Sequence, residues 1–156
     1  MRLMVLMVAA GAVMASGVLA QDAAEDPFAD AVEMRHGLML QMATDLGKVG
    51  AMAKDETPYD AAVAGKAAAN IAAIASVLSM DQFPAGSEYQ KATDSFALPA
   101  IWEKQDDFLQ KVADLNTAAA AFQTAAATDL DSLKTGMAAL GGACGACHKA
   151  YRQPEE

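Results

Sequence analysis

Apolar side chains recur in steps of four and three along four separate stretches of this chain, a period that belongs to helices and not to strands. The first stripe reads Phe28, Val32, Arg35, Met39, Met42, Leu46 and Val49. The second carries Val63, Ala67, Asn70, Ile71, Ile74 and Leu78. The third runs from Ile101 through Gln105, Phe108, Val112, Leu115, Ala119 and Phe122 to Ala126. The fourth is Leu130, Leu133, Met137, Leu140, Cys144, Cys147 and Tyr151. No stretch alternates as a half-buried strand would, and alanine, the strongest helix former, is abundant. Cap-plus-proline pairs at Asp26-Pro27 and Thr57-Pro58 open the first two helices, and Pro99 opens the third. Thr128 is the expected cap of the fourth, with Asp131 at the capping-box position. Two short links force antiparallel neighbours, and residues 81–98 form the one long connection. The expected fold is all-α, an antiparallel four-helix bundle of helices about 20–28 residues long, crossing near 20°.

The first 20 residues stand apart from this pattern. Arg2 precedes an uncharged apolar run from Leu3 to Leu19, and Val18-Leu19-Ala20 has the small-x-small form of a cleavage site. The run falls short of the ~20 residues that a spanning helix needs. Residues 1–20 are therefore predicted to be a cleaved export signal, and residues 21–156 one helical domain with a single core. No second long apolar run follows, so no membrane association is expected after cleavage. With Arg2 removed, 10 basic residues (11 minus 1) face 20 acidic ones, a formal charge of −10. Such a surface repels nucleic acid and favours basic partners.

Cys144-Gly145-Ala146-Cys147-His148 has the C-x-x-C-H form that attaches a c-type haem. Cysteines three apart lie on one helix face, placed to form thioethers to the two vinyl groups along one haem edge. His148 then offers its imidazole to the iron. A redox dithiol and half of a zinc site are the other chemistries of such a pair. These are the only cysteines, which excludes a four-cysteine zinc site, and no βαβ pattern suggests a thioredoxin-like unit. Both cysteines fall on the fourth stripe, so the haem is expected inside the bundle. Export of such a protein implies the bacterial periplasm.

Other residues break the pattern. Arg35 occupies a core-facing position, where an unpaired charge is costly. Either its head reaches water along the stripe or an anionic haem propionate compensates it. Met39, one turn on, either fills a core gap or supplies a sixth iron ligand, which raises the potential in Met/His cytochromes. Arg152 follows His148 by four residues, within reach of the imidazole, and also suits a helix C-terminus. Gly141, Gly142 and Gly145 each cost about 1 kcal/mol relative to Ala, tolerable where a planar cofactor comes close. His36, the only other histidine, lies off the stripe as a surface or haem-edge residue.

Three blocks together resemble the cytochrome c′ family across essentially all of residues 21–156. They are Ala31-Val32-Glu33-Met34-Arg35, Leu98-Pro99-Ala100-Ile101-Trp102, and Cys144-Gly145-Ala146-Cys147-His148-Lys149-Ala150-Tyr151-Arg152. The last is the most specific, because common cytochromes c carry the motif near the N-terminus. The resemblance implies one haem c bound covalently at Cys144 and Cys147, with His148 axial, Arg35 on a propionate, Met39 over the distal face and Arg152 on the proximal side. It implies electron transfer or binding of nitric oxide and carbon monoxide at a five-coordinate iron, with no catalysis. Low-spin relatives use a first-helix methionine as sixth ligand, which makes Met39 the ambiguous residue. His36 stands where the family often has glutamine, and Phe96 where it often has a polar haem-edge residue. The resemblance also implies a homodimer through the first two helices, to which the stripe Ala31, Met34 and Leu38 would contribute, and small redox partner proteins. The competing readings are a thiol–disulfide enzyme, a haem peroxidase and a cofactor-free bundle.

Overall fold

The computed structural model describes residues 26–154, so the leader expected over residues 1–20 lies outside it. Asp26 turns the chain into the first helix. One carboxylate oxygen accepts the Phe28 amide (2.8 Å) and the other the Thr93 amide (2.5 Å). Helix α1 then runs Ala29–Ala53, two residues inside the expected start. Helix α2 spans Ala61–Val77 and begins at Asp60, not at Thr57-Pro58. Asp60 is extended, and its carboxylate accepts the amides of Ala62 (2.9 Å) and Val63 (3.0 Å), satisfying two otherwise orphaned donors. At 17 residues, α2 is shorter than the periodicity suggests.

The long connection contains one 3-10 turn, Met80–Gln82, closed by a capping box between Ser79 and Gln82. The third predicted helix is broken. Helix α3 is the single turn Ala100–Glu103, and helix α4, Gln105–Ala126, restarts after Lys104 leaves helical geometry (φ −130°, ψ 48°). The Trp102 indole donates to the Phe83 carbonyl (3.0 Å), which ties α3 to the long connection while α4 follows the bundle. Gln105, expected on the stripe, is exposed at this break. Helix α5, Leu130–Tyr151, is capped by Asp129 and not by Thr128, its carboxylate accepting the Ser132 amide (2.7 Å).

The four long helices pack in the ring α1–α2–α4–α5, and α5 meets α4 far more extensively than α1. Val49, Ile71, Phe122, Leu133 and Leu140 are fully buried or nearly so, as the stripes predict. On α2 the register differs, with Val63 exposed and Ala64 buried in its place. Buried alanines on α2 and α4 bring the helices close. The α4–α5 crossing is tightest at Gly136, where a Cβ would lie 2.9 Å from the Phe122 ring and 3.1 Å from Ala125 Cβ. The turn end of the bundle is closed by Tyr59 Oη donating to the Ala126 carbonyl (3.0 Å) and by Lys134 beside Asp55 (3.4 Å). The opposite end gathers the start of α1, the end of α5 and the long connection. Among the described residues, extended pairing is limited to one antiparallel bridge, Ala97 with Arg152, and no helix is long and apolar enough to cross a membrane.

Candidate haem site

The motif occupies the last two turns of α5. Cys144 and Cys147 are free thiols, half-buried against the core cluster. Burial pushes both thiols up from their ordinary value. At Cys147 the neighbouring Cys144 and Asp107 add to that rise, and Lys111 opposes it. His148 is half-buried. One turn beyond Cys147, the buried Tyr151 ring meets Phe108 edge-on (5.3 Å between centroids), and Phe108 meets Phe83 the same way (5.0 Å). The Tyr151 hydroxyl donates to Asp107 of α4 in a short hydrogen bond. Burial, followed by that carboxylate, pushes its pKa up to about 12. Added Cβ atoms at Gly141, Gly142 and Gly145 would meet nothing within 4 Å, so this face of α5 lies open.

Arg35 reaches the same end of the bundle from α1 and is 4% exposed, so its head does not escape to water. Nη1 donates to Ser87 Oγ (2.9 Å) and the Gln82 carbonyl (3.3 Å), and Nη2 to the Ser87 carbonyl (2.7 Å) and Ser95 Oγ (2.6 Å). The guanidinium also lies over the Phe83 ring, 5.2 Å from its centroid. All four acceptors are neutral, and burial lowers the pKa of the group. The compensation the sequence reading assigned to a cofactor is thus supplied in part by the long connection.

Met39, one turn further along α1, is half-buried and packed against the core cluster, as Cys144 and Cys147 are. His36 is exposed and pairs with Phe96, 44% exposed, at 6.0 Å between ring centroids. These two departures from the family pattern therefore meet each other at the rim. Arg152 is exposed and extended (φ −115°, ψ 134°) at the end of α5, its amide still bonded to the His148 carbonyl (3.0 Å). It pairs with Ala97. The Leu98 amide donates to the Tyr151 carbonyl (2.9 Å), and the Gln153 amide to the Phe96 carbonyl (2.8 Å).

Both ends of the chain thus bring their candidate residues to one end of the bundle. The site also recruits Gln82, Ser87, Ser95 and Asp107, which the sequence reading did not select. Three of these lie in or beside the long connection, which has no period to mark them, and Asp107 reads as ordinary first-turn acid on α4. The donor set suits a haem: two thiols one turn apart on a face open beside its glycines, an imidazole next to them, and a buried cation held only by neutral acceptors.

A family model described as Cytochrome C′ matches residues 30–152. Cytochrome c-554 of Cereibacter sphaeroides is 58% identical over 137 residues, covering 88% of each chain. Among solved structures, cytochrome c′ from Rhodopseudomonas palustris is similar at a TM-score of 0.74 and 34% identity, covering 81% of this chain and 98% of that one. A cytochrome c′ described by an unusual ligand-controlled dimer dissociation is similar at a TM-score of 0.75 and 26% identity, covering 81% and 97%.

Proposed function

The chain belongs to the cytochrome c′ family, whose members bind one covalent haem c, and on that premise we propose that it is a periplasmic haem protein without catalytic activity. It carries electrons, binds nitric oxide or carbon monoxide at a five-coordinate iron, or does both. Cys144 and Cys147 would hold the haem by thioethers, His148 would ligate its iron, and Arg35 would face a propionate. Met39 would cover the open side of the iron, His36 and Phe96 would line the exposed edge, and Arg152 would lie near the imidazole. When bound, the haem supplies an iron that changes oxidation state and takes up small ligands. The chain's part is to hold the imidazole, to exclude water with Met39, and to present a buried cation to the propionate. Residues 1–20 direct export and are removed, leaving residues 21–156 as one haem domain.

The observation that carries this reading is the placement, at one end of the bundle, of two half-buried cysteines and a buried arginine whose acceptors are all neutral. A guanidinium so placed favours an anion. Burial raises both thiols, the reverse of what a thiol–disulfide catalyst needs. A peroxidase needs a polar distal acid–base group, and the α1 stripe offers Met39 and Met42.

A second reading makes Met39 the sixth ligand of a low-spin electron carrier. It is favoured by the packing of Met39 against the same core cluster as the two cysteines. Absorption spectra of purified ferric and ferrous protein, with and without carbon monoxide, separate the two. A five-coordinate ferrous Soret band with rapid carbon monoxide uptake supports the first. A sharp low-spin spectrum that collapses in Met39→Ala supports the second. A chain expressed with haem-attachment machinery whose intact mass lacks a haem sinks both.

The protein also forms a homodimer through α1 and α2. Met34 is 55% exposed, Leu38 lies half-buried along the same stripe, and Val63 and Val77 of α2 are exposed. Analytical ultracentrifugation at micromolar concentration should give a dimer, and Met34→Asp a monomer. A monomeric parent, or an unmoved Met34→Asp, removes this interface.

A further inference from the structure

The two sides of the candidate site are joined by protein as well as by cofactor. Ser95 Oγ accepts from Arg35 Nη2 (2.6 Å) and from the Ala97 amide (3.3 Å), and it donates to the Ser87 carbonyl (2.7 Å). A hydroxyl has one donor and two acceptor positions, so this buried one is saturated. From the next residue on, the chain changes partner. The Phe96 carbonyl accepts the Gln153 amide (2.8 Å), Ala97 bridges Arg152, and the Leu98 amide donates to the Tyr151 carbonyl (2.9 Å). The Tyr89 amide donates to the Ala97 carbonyl (2.7 Å) and fixes the strip from behind. The turn of α5 that receives these bonds begins at His148, whose carbonyl accepts the Arg152 amide (3.0 Å). An unbroken hydrogen-bonded path therefore runs from Arg35, one turn before Met39, through residues 95–98 to the turn that carries the axial imidazole.

We propose that Ser95 is a positioning residue for His148: it pins the strip 95–98 to Arg35, and the strip in turn sets the angle of the last turn of α5. Ser95 acts through the strip, and the proposal rests on the reading of His148 as iron ligand. Without the Oγ anchor, Ser95 keeps only its long amide bond to the Ala92 carbonyl (3.4 Å), the strip loses its tie to Arg35, and the imidazole gains freedom to tilt. Arg35 then has two tasks, a propionate on one side and the strip on the other.

The test uses the haem-loaded full chain with Ser95→Ala, Ser95→Thr and, as a comparison, Ser87→Ala. Ser87→Ala also removes one hydroxyl acceptor of Arg35, yet leaves the strip anchored. Amide exchange at Leu98 and Gln153 should quicken about tenfold in Ser95→Ala, the effect of one lost hydrogen bond. The hyperfine-shifted proton resonances of the His148 ring in the ferric protein should move with it. Ser95→Thr, which keeps the hydroxyl, should bring both back toward the parent, and Ser87→Ala should leave them in place. Faster exchange with unmoved His148 resonances makes Ser95 structural only and overturns the proposal. So do equal shifts in Ser87→Ala, or unchanged exchange in Ser95→Ala. A parent chain with no covalent haem overturns the functional reading first and the proposal with it, an outcome the intact mass distinguishes from the others.

Discussion

Two charged side chains on α1, ten residues apart, are both buried, and they are buried in opposite ways. Asp45 is fully enclosed between α1 and α2. Lys48 Nζ donates to its Oδ1 (2.7 Å), and the amides of Gln41 (2.8 Å) and Asn70 (3.1 Å) donate to Oδ2. Burial pushes the carboxyl up, but the bonds from Lys48, Gln41 and Asn70 and the Lys48 charge outweigh it and hold it below the ordinary carboxylate range. Arg35 makes four hydrogen bonds against three, with no charge among its acceptors. A buried charge with its counter-ion built into the fold is a structural device. A buried charge surrounded by neutral dipoles keeps a field that none of its described acceptors offsets with an opposite charge.

The contrast can be broken most directly at Arg35. In the haem-loaded protein, Arg35→Met leaves buried hydroxyl and carbonyl acceptors unpaired and should cost about 3 kcal/mol in urea unfolding. It should also lower the midpoint potential, because removing a nearby positive charge favours oxidised iron. A stability loss with no change in potential would reduce Arg35 to a staple of the long connection. Asp45→Asn removes the charge from three strong hydrogen bonds and should cost about 2 kcal/mol, with a smaller effect on the potential. Its pH dependence has a definite sign. The folded carboxyl is depressed, so its stabilisation is full above the unfolded value of about 3.9 and is lost as pH falls through the folded one. The stability gap between parent and Asp45→Asn should therefore be constant at neutral pH and close in acid, and a gap that persists there would contradict the assignment. The smallest effect is expected for Lys48→Met. The lysine is 49% exposed, and its ion pair should be worth under about 1 kcal/mol because water screens it.

The same pair shows what the sequence could disclose. Arg35 stands on the apolar stripe, where a charge is conspicuous, and the fold decides for burial between the two readings the period leaves open. Asp45 stands one residue before the stripe position Leu46, where an acid reads as solvated, and only the neighbouring helix encloses it. The available clue was Asn70, a polar residue on the second stripe, which turns out to be one of Asp45's donors. The four-helix architecture, the helix directions and most of the core were legible because they depend on a repeated pattern. Helix ends were less so. Thr57 and Thr128 compete with Asp60 and Asp129 as caps, and the acids carry the stronger acceptor. The break at Lys104 has no glycine or proline to announce it, and the partners of Arg35 lie in a connection without period. At the site, the positions of Cys144, Cys147, Arg35 and Met39 were readable from their stripes, whereas the strip that joins Ser95 to Tyr151 arises only from the folded path.

The close crossing at Gly136 sets the geometry of a lever. The Phe122 ring and Ala125 leave no room there for a methyl group, so the two helices are pinned closely at the turn end. His148 lies 12 residues further along the same rod, about 18 Å at the rise of an α-helix. A tilt of about 3° at the fulcrum carries the imidazole about 1 Å, roughly half the length of a metal–nitrogen bond. A glycine near the start of α5 thus bears on where the far end of that helix comes to lie.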